Sequence, residues 1–375
     1  MNFSEQVLKN EERALYGLRR LYQQYGYTRY KVSKFEEYDL YAHNKSFLVS
    51  ENILTFTDTN GKLMALKPDV TLSIVKNIRN EDATAHKLYY NETVYRTSAG
   101  SDGFREIMQT GLECIGEIDL YAIGEVLMLA QKSLALISDD YILDLSHLGF
   151  LTGLLDETGL NPADTETLIG LIGNKNIPAI ASFCESRSVA ADMTDAICRV
   201  TDLYAPLESA LEQIRPMVRG EKMRDAYEQL CGVSEMMRTG GNSERIYLDF
   251  SIVNDMNYYT GIIFRGFING IPDGVLSGGR YDSLLQRMGK KSGAIGFAVY
   301  LDLLERFGAD ESPYDVDTFL LYDESTDPSA VIGAAAALRE TGKTVLAQKG
   351  DATNIRCREK LCMTKGGLKV LEKHD

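Results

Sequence analysis

The chain has 375 residues, 44% of them hydrophobic and 25% charged, which is enough for two or three domains with a sizeable core. Its formal net charge of −14 repels phosphate on average and sets it against nucleic acid as a main partner. No apolar run approaches the ~18 residues of a bilayer span, and the charged start "MNFSEQVLKNEERALYG" leaves no apolar core for a signal peptide; a cytoplasmic protein without a membrane partner is expected.

From Ser4 the spacing of Leu15, Leu18, Tyr22 and Tyr25 predicts an amphipathic helix stopped by Gly26. "YTRYKVSKFEEYDLY" reads as a strand entering a loop. "ENILTFTDTNGKLMALKPDVTLSIVKNI" reads as strand, Asn-Gly turn, strand, and a helix opening after Pro68-Asp69. "KLYYNETVYRTSAGSDGFREIMQTGLECIG" is a second strand pair around a Thr97–Gly103 loop. "YAIGEVLMLAQKSLALI" then reads as a helix and "YILDLSHLGFL" as a strand.

Between about Leu151 and Gly241 helical runs dominate without a strand signal, marking a helical insertion over about 151–241. Strand character returns at "RIYLDFSIV" and runs through "YYTGIIFRGF" and "GVLSGGRYDSLL". "GAIGFAVYLDLLERF" passes from strand into helix. "ADESPYDVD" reads as a linker. The pattern therefore gives an α+β main domain over 1–310 and a small C-terminal α/β unit over 315–375. The six cysteines, Cys114, Cys184, Cys198, Cys231, Cys357 and Cys362, form no C-x-x-C pair, and the four histidines stand at no ligand spacing from them. Reduced thiols, no metal and no cofactor are expected.

Four strings carry a resemblance: "LKPDVT", "FREIMQTGLECIG", "NYYTGIIF" and "LSGGRYDSLL…GAIGFA". Their order and intervals resemble class II histidyl-tRNA synthetases, from about Phe3 to Phe307. The departures resemble the non-catalytic relatives of those enzymes, the regulatory subunits of ATP phosphoribosyltransferase. The resemblance implies a class II aminoacyl-tRNA synthetase-like antiparallel sheet of six or seven strands flanked by helices, usually dimeric. It also implies that the C-terminal unit is a reduced anticodon-binding-like domain or a docking module.

Free histidine offers an ammonium group with three donors and an imidazole that wants a partner at each nitrogen. Asp69 and Thr71 supply a carboxylate and a hydroxyl for the ammonium, and Gln109 an amide oxygen. Even spacing along a strand puts Gln109, Gly111 and Glu113 on one face, with Gly111 leaving room above the sheet. Glu113 suits one imidazole nitrogen and Tyr259 the other, while Tyr258 shapes a wall. The matching positions form the histidine pocket in the family. Each residue also has a plainer role: Asp69 as a helix cap, Gln109 and Glu113 as sheet surface, and the tyrosines as packing.

The activation machinery departs from the synthetase pattern. The motif-two Arg-x-Glu positions read Tyr95, Arg96 and Thr97, with Arg96 expected on the other side of the strand. The motif-three arginine is Leu303, and the arginine of the histidine-specific motif is Asn254. The motif-one proline position reads Ser33. A histidine pocket without activation chemistry implies a sensor. The resemblance names its partner as a short-form ATP phosphoribosyltransferase, in a hetero-octamer of four catalytic and four regulatory chains built on a homodimer. L-histidine would act as feedback effector, with the "TSAGSDG" loop as a mobile element. Two alternatives stay open: an active histidyl-tRNA synthetase, and an orphan synthetase-like protein that binds another amino acid.

Overall fold

The computed structural model describes residues 8–45, 48, 52–78, 85–97, 103–240, 243–253, 258–305, 313–350, 354–364 and 367–374. The chain divides into two units, Met1–Phe307 and Gly308–Asp375. Asn254 and residues 98–102 of the glycine-containing loop lie outside the described residues.

The first unit opens with α1 (Asn10–Gln24), whose Ala14, Leu18 and Tyr22 are buried on one face. It stops at Gly26, which takes a φ of +80° that a side chain would resist. Next come β1 (Thr28–Arg29), β2 (Phe35–Glu37) and α2 (Tyr38–Ala42). The last is a short helix where a loop was expected. β3 (Thr55–Thr57) and β4 (Leu63–Leu66) flank the Asn-Gly turn, and α3 (Thr71–Asn77) follows Pro68-Asp69. The long strands β5 (His86–Thr97) and β6 (Phe104–Gly116) precede α4 (Leu120–Ile137) and β7 (Tyr141–His147).

β7 ends sooner than its apolar continuation suggests, and α5 (Leu148–Asp156) begins at once. His147 sets that boundary: its Nδ1 accepts the Gly149 N–H at 3.1 Å, capping the new helix. The insertion continues through α6 (Pro162–Gly173), α7 (Ile177–Ser186) and α8 (Ala191–Asp202) to α9 (Leu207–Ile214) and α10 (Gly220–Thr239). It holds one strand that the sequence pattern hid, β8 (Tyr204–Pro206). Three residues are too few to show a two-residue period. β9 (Ile246–Asp249), β10 (Ile262–Ile268), β11 (Leu276–Arg280), α11 (Asp282–Arg287) and β12 (Gly293–Tyr300) complete the unit.

The main sheet has nine strands in the order β1-β5-β6-β12-β11-β10-β7-β9-β8, more than the six or seven expected. The six from β5 to β7 pair antiparallel throughout. The extra strands come from the ends, where β1 joins β5 and β9 joins β7, both parallel, and β8 pairs antiparallel with β9. One face carries Tyr89, Leu112, Cys114, Phe297 and Val299 into a large core closed by α1 and α4. Tyr22 and Ser133 hydrogen-bond at 3.2 Å between those helices. α4 corrects an expectation, because its 18 residues are long and apolar enough to cross a membrane; 61% of them are buried against the rest of the unit. Below the opposite face lies a second cluster around Tyr41, Leu72, Tyr90, Ile115 and Tyr281. Beside it β2, β4 and β3 form a small separate sheet.

The second unit comprises β13 (Val316–Tyr322), α12 (Pro328–Glu340), β14 (Val345–Lys349), β15 (Cys357–Thr364) and β16 (Gly367–Lys373). Its sheet order is β14-β13-β15-β16, with β13 parallel to both neighbours. Val331 and Ala335 of α12 pack on Leu320 and Leu361. The α12 N-terminus is capped by Asp327, which accepts the Ser329 N–H at 3.1 Å.

Candidate functional site

The face of the main sheet that looks toward α3 and α11 carries Glu92 from β5, then Gln109, Gly111 and Glu113 from β6, then Gly296, Ala298 and Tyr300 from β12. Register fixes this set: Glu92 lies opposite Gln109, and Gly296 opposite Glu113. The β4–α3 turn lays Asp69 and Thr71 over it. Thr71 Oγ1 donates to Glu113 Oε1 at 2.8 Å, and Tyr281 donates its hydroxyl proton to Glu113 Oε2 at 2.5 Å. The turn forms because Asp69 Oδ1 accepts the Leu72 N–H at 2.8 Å, so the capping role is real as well.

Two glycines on this face leave room for neighbouring side chains. A Cβ on Gly296 would stand 1.9 Å from Glu113 Oε2 and 2.4 Å from the Leu112 carbonyl, so Gly296 gives the carboxylate its seat. A Cβ on Gly111 would meet the Tyr90 hydroxyl at 2.6 Å. The space above Gly111, expected for a ligand, is therefore filled by Tyr90.

Electrostatics mark the same cluster. Burial pushes the Glu113 carboxyl up to about 8; the Tyr281 and Thr71 hydroxyls oppose that rise and the Asp69 charge adds to it. Burial also raises Asp69, held back by the Leu72 N–H and the Arg96 guanidinium. No ion pair reaches Glu113 among the described residues. The cluster thus holds a carboxyl that burial pushes toward its protonated form.

The tyrosines lie before β10 rather than within it. Their rings meet edge-on at 4.8 Å between centroids, and Tyr258 also contacts Tyr281 at 5.6 Å. Tyr259 sits over Gly279, whose Cβ would come within 2.6 Å of the ring. The Tyr258 hydroxyl feels burial first, then Asp69, Tyr259 and Glu113, and hydrogen-bonds with Thr71. Gln109, only 2% exposed, has an amide nitrogen with no hydrogen-bond partner among the described residues.

Sequence reasoning missed Tyr281, Tyr90 and the ion pair of Lys67 with Glu92. Tyr281 lies inside the quoted "GGRYDSLL" string, and its place right after a strand of small residues was the available signal. It also misplaced Arg96. Arg96 pairs with Arg105 and lies an even number of residues from Glu92, so it shares the face of Gln109. Its Nε donates to the Pro68 carbonyl at 2.9 Å. One arginine of the second motif thus remains on the site's side. Leu303 packs against the large core. Among the described residues no group of three or more His, Cys, Asp or Glu side chains is placed to hold a metal.

Six central antiparallel strands flanked by helices make the class II synthetase fold. The histidyl-tRNA synthetase family model matches residues 2–304, and the chain belongs to that family. Among its relatives is the ATP phosphoribosyltransferase regulatory subunit of Oceanobacillus iheyensis, 28% identical over 336 residues, 88% of this chain and 82% of that protein. The fold is similar to an ATP phosphoribosyltransferase regulatory subunit/histidyl-tRNA synthetase from Bacillus halodurans. That TM-score is 0.74 at 24% identity, over 92% of this chain and 90% of that one. A chain of an ATP phosphoribosyl transferase complex from Thermotoga maritima matches with a TM-score of 0.62 at 19% identity, over 78% of this chain and 97% of that one. The resemblance read from the four motifs and the class II fold are both borne out.

Proposed function

We propose that this chain is the regulatory subunit of an ATP phosphoribosyltransferase, the enzyme that joins ATP to phosphoribosyl pyrophosphate in the first step of histidine biosynthesis. It carries feedback inhibition by free histidine and performs no adenylation itself. The observation that carries this reading is the convergence of Asp69, Thr71, Gln109 and Glu113 on one sheet face under Tyr258 and Tyr281. Histidine's ammonium meets Asp69, Thr71 and the Gln109 amide oxygen. Its imidazole meets Glu113 and Tyr259.

Leu303 and Asn254 stand where the activating arginines of the resembled enzymes lie. Removing such charges costs roughly 10²–10³ in rate each. The partner is a short-form catalytic subunit, and the assembly a cytoplasmic hetero-octamer resting on a homodimer of this chain. Histidine acts by linkage: its preference for one conformation of the regulatory dimer need supply only ~1–3 kcal/mol of coupling.

Co-expression with a short-form catalytic subunit tests the reading. The two chains are expected to co-purify, with activity above that of the catalytic chain alone. Separate elution with unchanged activity would overturn it. Arg96 on the pocket's side favours a second reading, an active synthetase. Histidine-dependent ATP–pyrophosphate exchange would establish that one, and none is expected.

A further inference from the structure

Lys67 immediately precedes the turn that carries Asp69 and Thr71, and it is only 1% exposed. A lysine is rarely that buried unless it is paired. Its Nζ is held by Glu92 Oε2, while Glu92 Oε1 accepts the Val32 N–H at 3.1 Å. The Lys67 backbone is fixed on both sides: its N–H donates to the Lys34 carbonyl at 3.1 Å, and its carbonyl accepts the Tyr95 N–H at 3.0 Å. One residue beyond Lys34, Phe35 pairs with Leu66 in the small sheet. Its exposed ring packs edge-on against Phe56, with centroids 5.6 Å apart. Toward the pocket, Glu92 faces Gln109 directly across the β5–β6 ladder.

We infer that the Lys67–Glu92 ion pair couples occupancy of the pocket to the 32–35 segment and the Phe35–Phe56 face. This rests on the histidine reading of the site. An ammonium arriving among Asp69, Thr71 and Gln109 brings positive charge beside Glu92, in an interior where charges interact strongly. It competes with the Lys67 ammonium and the Val32 N–H for the two Glu92 oxygens. Both competitors are tied to the small sheet, one through Lys34 and the other through its own chain, so a changed balance at Glu92 moves that sheet. Lys67 here is a positioning residue that acts through Glu92.

The chain contains no tryptophan, so Phe56→Trp in the full-length protein gives a unique fluorescent reporter remote from the pocket. Histidine is expected to shift its emission, saturating where the calorimetric isotherm saturates. With Lys67→Met added, histidine still binds, at equal or lower concentration because its competitor for Glu92 is gone, but the shift is lost. With Lys67→Arg, which keeps the charge, the shift returns. Should Lys67→Met fail to fold, Glu92→Gln replaces it, because it removes the carboxylate charge and leaves an acceptor for only one of the two partners; less than half of the shift is then expected to remain. A reporter that binds histidine without shifting overturns the coupling. So does a shift that survives intact in the Lys67→Met or Glu92→Gln variant. If calorimetry finds no histidine binding to the wild-type chain, the pocket reading itself fails, which is a separate result.

Discussion

Thr71 and Glu113 lie 42 positions apart in the chain and meet in a 2.8 Å hydrogen bond. That contact joins the turn expected to read an ammonium group to the carboxyl expected to read an imidazole. Thr71 donates to Glu113 and accepts from the Tyr258 hydroxyl, which leaves one lone pair to accept from a ligand. The two halves of the proposed pocket are therefore joined by a direct hydrogen bond.

Glu113 makes stability depend on pH. Burial raises its carboxyl from 4.5 to about 8, so between those values the folded chain holds a proton that the unfolded chain has lost. Its contribution is fully present below pH 4.5 and is lost as pH rises through 8. Glu113→Gln removes that titration. Its melting temperature is expected to gain a few degrees on the wild type between pH 5 and pH 8. Parallel melting curves across that range would show that Glu113 is already ionised in the fold.

Tyr281→Phe deletes the 2.5 Å hydrogen bond to Glu113 Oε2 and little else. Under the histidine reading the bound imidazolium ionises Glu113, and a hydrogen bond to a charged group contributes ~1.5–3 kcal/mol. Histidine affinity measured by calorimetry is expected to fall about tenfold or more. An unchanged affinity would remove Tyr281 from the site.

Gly296→Ala places a methyl group 1.9 Å from Glu113 Oε2 and 2.4 Å from a backbone carbonyl. Overpacking of this kind costs ~1–3 kcal/mol, and the displaced carboxyl no longer reaches Thr71. Thermal denaturation and calorimetry should show lower stability and loss of histidine binding. Gly170→Ala is the control, since its Cβ meets nothing within 4 Å on helix α6; it should be neutral or stabilising.

His147 titrates with the opposite sign. Burial pushes its imidazole down to about 4, against the hydrogen bond to Gln229. Its Nε2–H donates to Gln229 Oε1 at 2.9 Å, with the tautomer set by the Gly149 N–H at Nδ1. Between pH 6.5 and 4 the unfolded chain binds the extra proton. Stability from this group is therefore full above 6.5 and falls with pH, at no more than about 1.4 kcal/mol per unit. His147→Asn keeps an acceptor for the cap and should flatten that acid slope in a denaturant titration.

The sequence showed the central strands through their two-residue period, and that period alone placed Gln109 and Glu113 on one face. Short elements escaped: α2 and β8 are too short to carry a readable period, and the α5 boundary hangs on one histidine cap. Chain order could align Arg96 with a motif, but only the β5–β6 register showed which face it takes. Lys67 was invisible as a pocket neighbour because a lysine in a turn normally faces water, and its burial depends on Glu92, 25 positions away. Tyr90 over Gly111 is likewise a packing outcome that no spacing encodes.

The most direct measurement is the activity of the reconstituted complex with a short-form catalytic subunit, titrated with histidine for the wild-type chain and for Glu113→Gln. The account predicts inhibition by histidine in the wild type and a loss of sensitivity of tenfold or more in Glu113→Gln, with activity in the absence of histidine retained. Equal inhibition of both complexes would show that histidine regulates through a different site.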